Sequence, residues 1–290
     1  MVSGRAAGAV LHALTGERYF TQTRGRADLS CQAEAALTRR RKEPLPSSDI
    51  SPWIENLGVD GMLIRFGTEL TEAANRAALA CHAAIEAAAI PGVEESAASL
   101  TSVYVRFALM RTDHSALRIV LEQILAQQDW SQASLPQGRR LWHVPAVFGT
   151  ELGPQLAEAA ALASLAPEDA IAALCAQPLR VQTIGFAPGQ PYLGQLPSAW
   201  DIPRQTGLTP RVPQGALAVA IRQVVLFSVS TPTGWRHVGQ TALRLFRPDH
   251  PDPFLLRPGD EVLFRPVTRD AFETLRATAP DGGATSERLR

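Results

Sequence analysis

A chain of 290 residues, 46% apolar and 19% charged, has the composition of a soluble globular protein and enough length for two cores. Its formal net charge is zero, so the overall balance draws it neither to nucleic acid nor to an anionic membrane. No apolar run approaches the roughly 18 residues of a membrane span, and the residues after Arg5 do not form a secretion signal, so the expected compartment is the cytoplasm.

Residues 1–52 are rich in Arg, Gly, Ala, Ser and Thr, with weak apolar periodicity. Arg39-Arg40-Arg41-Lys42 is followed by Pro44, Pro46 and a Ser-Ser pair. This stretch reads as a flexible extension, its basic run a solvated tail or an anion patch. Regular patterning begins after Gly58. Met62–Phe66 reads as a strand, and Leu70, Ala74, Ala77, Cys81, Ala84, Ile85 and Ala88 then recur at helical spacing until Pro91-Gly92. Two short strands follow, Gly92–Ala98 and Ser102–Phe107. A second helix carries Leu117, Val120, Leu121, Ile124 and Leu125 on one stripe, and Leu141–Phe148 supplies a fourth strand. The order βαββαβ predicts a ferredoxin-like domain over 53–150, with both helices on one face of an antiparallel sheet.

Helices at Pro154–Ala163 and Pro167–Cys175, each opened by a proline, are expected to form a connector over 151–178 that bridges two halves. Beyond it, short stretches cut by Pro and Gly read as strands: Val181–Phe186, Ala216–Ile221, Val224–Ser228, Arg236–Val238, Leu243–Phe246 and Glu261–Val267. Their frequent turn signals predict a small β-barrel or sandwich over 179–270, with 271–290 as a flexible tail. The fold class expected of the whole is α+β.

Gly185–Leu196 packs three Gly, two Pro and two aromatics into twelve positions. Glycine opens backbone angles closed to other residues and proline fixes φ, so Gly185 and Gly189 specify a rigid loop carrying Phe186 and Tyr192. Those two rings can stack on a ligand or cap the barrel end. Arg204 and Arg211 flank the next loop. A guanidinium grips carboxylate or phosphate with two hydrogen bonds, so the pair can form an anion clamp; the other reading is surface ion pairing with Asp201 or Glu261.

Trp235 reads as a core anchor, and His237 has no orienting carboxylate in the sequence. His143 reads as a half-exposed core histidine. Pro258-Gly259-Asp260 reads as a type II turn before the last strand, with Asp260 a turn-stabilising carboxylate or a magnesium ligand. Cys31, Cys81 and Cys175, and the six histidines, lack metal-ligand spacing, so no metal site is expected. Lys42 is the only lysine among 28 basic residues, which excludes a Walker A loop or a Schiff-base lysine beyond it. No serine nucleophile elbow or Cys-His arrangement is present, so the residues alone name no complete active site.

In order and spacing, Gly185-Phe186-Ala187-Pro188-Gly189-Gln190-Pro191-Tyr192-Leu193-Gly194, Pro203-Arg204, Arg211-Val212-Pro213, Thr231-Pro232-Thr233-Gly234-Trp235 and Leu256-Arg257-Pro258-Gly259-Asp260 resemble the KipI/PxpB family, which includes the 5-oxoprolinase B-subunits and allophanate hydrolase subunit 1. The resemblance implies a cyclophilin-like β-barrel in the C-terminal part. It also implies a role as one subunit of an ATP-dependent 5-oxoprolinase-type hydrolase of lactams or amides. The implied partners are a KipA/PxpC-type subunit and a PxpA-type component. ATP with magnesium is the implied co-substrate, with no tightly bound cofactor. The alternative from the same family is a non-catalytic inhibitor that docks on a sensor histidine kinase. Arg204 and Arg211 are the candidates to neutralise a transferring phosphoryl group.

Departures mark a divergent member. Gln190 stands where relatives carry a second Phe, and Leu174 where they carry a histidine. Ile221–Ser228 replaces a Gly-Gly-Gln-Thr-Gly-Ile-Tyr-Pro segment, with Gln223 alone kept in place. Ile221 and Val225 in place of glycine close any near approach of a substrate or partner backbone.

Overall fold

The computed structural model describes residues 50–289, so the expected extension lies outside it except for Ile50–Pro52. The architecture is mixed α+β, with a small helix-covered sheet followed by a closed barrel.

Strands β1 (Trp53–Leu57), β2 (Gly61–Arg65), β3 (Val93–Ser99) and β4 (Ser102–Phe107) form an antiparallel sheet in the order β1-β2-β4-β3. Helix α1 (Glu72–Ala88) starts where the Thr71 hydroxyl accepts a hydrogen bond from the Ala74 N–H at 3.1 Å. Helix α2 (His114–Leu125) starts where the Asp113 carboxylate accepts from the N–H groups of Ser115 and Ala116. Met62, Ile64 and Phe66 from the β2 segment and Val103, Val105 and Phe107 from β4 share one face. Ala74, Ala77, Cys81 and Ile85 of α1 and Leu117, Leu121 and Ile124 of α2 close on that face, as the helical spacing predicts.

The fourth strand is a correction. β5 (Arg140–Phe148) does not enter this sheet; the edge place beside β2 belongs to β1, which reaches it through a tight hairpin at Gly58–Asp60. A three-residue connection closes with far less entropy loss than the long path to Leu141.

β5 instead belongs to the barrel. With β6 (Leu179–Ile184), β7 (Pro191–Gly194), β9 (Ala216–Ala220), β10 (Gln223–Leu226), β12 (Arg236–Thr241) and β13 (Glu261–Pro266) it closes the ring β12-β9-β10-β7-β6-β13-β5, sealed by the β12–β5 pairing. A separate ribbon pairs β8 (Thr209–Val212) with β11 (Thr231–Thr233). Leu243–Phe246 is not a strand; its only ladder contact among the described residues is the isolated bridge from Phe246 to Phe254.

Alternate residues of all seven barrel strands meet in one apolar cluster that includes Val144, Val181, Leu193, Leu217, Val224, Val238 and Phe264. Helices α3 (Leu156–Leu162) and α4 (Pro167–Cys175) add Leu156, Ala159, Ala160, Ala170 and Leu174 to it. They belong to the barrel rather than to a bridge, because their apolar faces are completed by its interior. The flexible tail expected over 271–290 is likewise corrected: α5 (Arg269–Thr278) precedes β14 (Thr285–Arg288), which pairs antiparallel with β5.

The two domains join along α1 and β6. Asn75, fully buried, donates to the carbonyls of Leu100 at 2.6 Å and Gln182 at 3.0 Å, while Arg180 grips Glu72.

Candidate functional site

The outward side chains of β7, β9, β10 and β12 form a second face of the barrel wall. Its floor is small, Ala216, Ala218 and Ala220, with Val225 and Phe227 beside them. The β8–β11 ribbon lies over it, contributing Val212, and Trp235 follows directly. The Tyr192 ring meets Trp235 edge-on at 6.0 Å, and the Arg204 guanidinium lies over the Trp235 ring at 5.6 Å. Burial pushes the Tyr192 hydroxyl above the usual phenol range, opposed by a hydrogen bond with Gln190 and by the charge of Arg204. Tyr192, Trp235, Arg204 and Gln190 therefore form one constellation.

Polar side chains surround it. Gln223, buried, donates from Nε2 to Gln182 Oε1 at 2.7 Å. Gly194 is opposite Gln223 on β7, and a Cβ there would stand 2.7 Å from the same Gln182 oxygen, so a larger residue would displace the Gln182 amide. His237 pairs with Ala218 and Gln240 with Ala216 across β9, which places both on this face. His237 Nε2 lies 3.0 Å from the Gly239 carbonyl, an acceptor only, so this nitrogen carries the proton. Burial pushes the His237 ring below its usual pKa, holding it neutral. Gln182 Nε2 and Gln190 Oε1 are buried without a hydrogen-bond partner among the described residues, while the Gln240 amide engages the His237 ring. Buried polar atoms of this kind are rare in folded proteins, and two beside one constellation single it out.

The remaining expected residues are placed elsewhere. Arg211, on β8, donates from Nε to the Ser230 hydroxyl at 2.7 Å, so Arg204 and Arg211 take different partners. Glu261, the alternative ion partner, pairs instead with Arg139 at 3.1 Å. Phe186 is 54% exposed with φ of 70° and makes no ring contact among the described residues; it neither joins Tyr192 nor caps the barrel. Gly185 donates to the Gln190 carbonyl, closing the loop. Gly189, at φ of 70°, lies against the Leu245 carbonyl, where a Cβ would come within 3.0 Å. Asp260 is the turn carboxylate: it accepts from the backbone N–H of Arg140 and Arg257, from Arg140 Nη2 at 2.8 Å and from the Trp142 indole. His143 accepts at Nδ1 from Arg265 and faces Glu287.

Gln155 and Gln205 carry no motif that singles them out in the sequence. Gln155 Oε1 accepts from the His237 N–H at 2.9 Å, its Nε2 donates to Gln205 Oε1, and Gln205 Nε2 donates to the Trp235 carbonyl. This amide chain fixes the backbone on either side of Trp235 and His237. Among the described residues, no group of His, Cys, Asp and Glu is placed to hold a metal ion, and no helix is long and apolar enough to cross a membrane.

Residues 52–256 match the family model described as carboxyltransferase domain, subdomain C and D. The chain is 34% identical to the 5-oxoprolinase B-subunit of Bacillus subtilis (strain 168) over 230 residues, covering 77% of this chain and 96% of that protein. It is 33% identical to the 5-oxoprolinase B-subunit of Escherichia coli O157:H7 over 177 residues, 61% of this chain and 79% of that one. The crystal structure of TTHA0988 superposes with a TM-score of 0.63 at 29% identity, covering 74% of this chain. The match spans only 41% of the TTHA0988 chain. Family match, identity and barrel architecture agree: the chain belongs to the carboxyltransferase subdomain C and D family, as a divergent member of its KipI/PxpB branch.

Proposed function

We propose that the chain is a non-autonomous subunit of an ATP-dependent 5-oxoprolinase-type hydrolase that opens a lactam or amide, acting with a KipA/PxpC-type subunit and a PxpA-type component. The observation that carries this reading is the near-complete coverage of a 5-oxoprolinase B-subunit by this chain. The outer face of the barrel supports it. A lactam carbonyl is a poor electrophile because the nitrogen lone pair stabilises it. Transfer of the terminal phosphoryl group of magnesium-bound ATP to the carbonyl oxygen, with ADP leaving, makes the carbon electrophilic. Water adds there, the carbon–nitrogen bond breaks as nitrogen takes up a proton, and a second water hydrolyses the acyl phosphate to carboxylate and inorganic phosphate.

The chain's own residues contribute shape and charge. Tyr192 and Trp235 supply apolar walls for a small planar ring, and the buried amides of Gln182 and Gln190 supply a donor and an acceptor for a lactam carbonyl and N–H. Arg204, over Trp235, supplies positive charge next to that surface, where a developing phosphoryl charge is neutralised. The companion subunit completes the site.

The test is to copurify the chain with its KipA/PxpC-type companion, add the PxpA-type component, and measure ATP hydrolysis with and without 5-oxoproline. Substrate-dependent turnover, lowered about tenfold or more by Arg204→Ala, is expected. A stable complex without such turnover would end the reading. If the chain then blocked autophosphorylation of a sensor histidine kinase, it would be assigned as a KipI-like inhibitor.

A further inference from the structure

A second concavity, separate from the Tyr192–Trp235 constellation, opens beside the Gly185–Leu196 loop. It is an open cleft of about 470 Å³ lined by Gln214, Arg244, Phe246, Arg247, Pro248, Asp249 and His250. Two elements build its wall. Phe246 stacks on Phe254 with ring centroids 5.4 Å apart, and the backbone of Arg247 donates to the Pro253 carbonyl, which closes the loop between them. Gly189 packs against Leu245 and Phe246 from the other side, so the glycine-rich loop supports the cleft without entering it.

The lining carries two guanidinium groups against one carboxylate, and one of those guanidinium groups is preorganised by a carboxylate from outside the lining. Arg247 Nη1 is held by Asp281 at 2.9 Å, which fixes the plane of the guanidinium and leaves its Nη2 without a partner among the described residues. Asp281 comes from the segment after α5, and the neighbouring Gly282 packs closely against Ala242. Arg244 is exposed and makes no hydrogen bond or ion pair among the described residues. His250 Nδ1 lies 2.9 Å from the Asp252 carbonyl and 3.0 Å from the Asp252 N–H, so the ring is anchored through Nδ1 to the Asp252 backbone. Asp249, at the rim, carries the only carboxylate of the lining.

Two guanidinium groups and an imidazole around a volume of this size, with an aromatic wall, match a phosphate-bearing small molecule better than a neutral one. We infer that this cleft binds phosphate groups, those of a nucleoside triphosphate or free polyphosphate, through Arg244, Arg247 and His250. A nucleotide would place its base along Phe246. The inference rests on the proposed function only for the identity of the nucleotide; the anion chemistry stands without it.

The test is calorimetric titration of the purified full chain at low ionic strength with ATP, tripolyphosphate, inorganic phosphate and adenosine, and with 5-oxoproline and glutamate as carboxylate probes. Binding of ATP and tripolyphosphate is expected, weakened about tenfold to a hundredfold by Arg244→Ala. A smaller loss is expected for Asp281→Asn, which frees Arg247, and a gain for Asp249→Asn, which removes the opposing charge. Equal affinity for ATP and tripolyphosphate would assign the site to the phosphates alone, and tighter ATP binding would add the base. Failure of both ligands to bind, unchanged binding by Arg244→Ala, or preference for the carboxylate probes would overturn the inference. Circular dichroism and thermal melting of each variant separate loss of binding from loss of fold. Turnover by the assembled complex is measured separately, so an inactive complex with an intact cleft tells against the proposed function and not against the cleft.

Discussion

The inner and outer faces of the barrel wall are made from the same strands and follow different rules. Leu193, Leu217, Val224 and Val238 point inward into a wholly apolar cluster, while their strand neighbours Tyr192, Ala216, Gln223 and His237 point outward among amides and aromatics. Burial on the inner face is repaid by removal of apolar surface from water. On the outer face the Gln182 and Gln190 amides each leave a buried polar atom without a partner, and nothing within the described residues offsets its desolvation. The contrast teaches where folding ends and recognition begins: one strand supplies both, with alternate residues.

The widest separation between the faces comes from truncation. Leu193→Ala, at a fully buried inward site, is expected to cost about 2–5 kcal/mol in chemical denaturation, through lost transfer energy and the cavity left behind. A cost below about 1 kcal/mol would mean that the interior is loosely packed. Its strand neighbour gives the opposite result. Tyr192→Phe keeps the ring wall but removes the hydroxyl that holds the Gln190 amide, and is expected to leave stability within about 1 kcal/mol while lowering substrate-dependent turnover of the complex about tenfold. Unchanged turnover would show that the outer face is ordinary packing.

The outer face also carries a signature in pH. Burial depresses the pKa of folded His237, so the unfolded chain takes up this proton first as pH falls. Stability attached to His237 is complete above the unfolded value of 6.5 and declines as pH drops toward the folded value. His237→Asn is expected to flatten that acid-side decline in denaturation curves recorded at successive pH values; an identical decline in both proteins would place the titrating group elsewhere. The smallest effect lies at the turn joining β9 and β10. Ile221 and Arg222 hold φ of 43° and 62°, and are kept there by hydrogen bonds to the carbonyls of Ile202 and Trp200. Ile221→Gly is expected to stabilise the protein by about 1 kcal/mol by relieving a β-branched residue at positive φ. A melting point that falls would show the turn to be unstrained.

Much of the inner face was legible because period-2 and helical patterns report burial directly: both helices of the first domain and the strands at Ala216, Val224 and Glu261 were expected near where they lie. Six elements, β1, β7, β8, β11, α5 and β14, escaped, β5 was expected as a strand of the other sheet, and the causes are physical. β7 is hidden in the Gly/Pro-rich stretch, since Pro191 begins it and Gly194 ends it. β14 reads Thr-Ser-Glu-Arg, fully exposed, so backbone pairing rather than apolar pattern makes it a strand. β5 alternates equally well for either sheet, and only the distant partner decides. In the site, Tyr192 and Arg204 were visible from their motif, but their meeting at Trp235 depends on the ribbon over the barrel. The Gln155–Gln205 chain left no sequence signal, because glutamine is an ordinary surface residue.

The parallel pairing of β5 with β13 joins Leu141 to Glu261, across nearly the whole barrel sequence. Ring closure therefore waits for the final strand, and a nascent chain would display two unpaired sheet rims until then. The first sheet, wired almost entirely by neighbours, has no such delay. Synthesis should thus yield an early-formed amino-terminal lobe carrying a late, aggregation-prone barrel, and a companion protein that shields those rims would raise the yield of the assembled form.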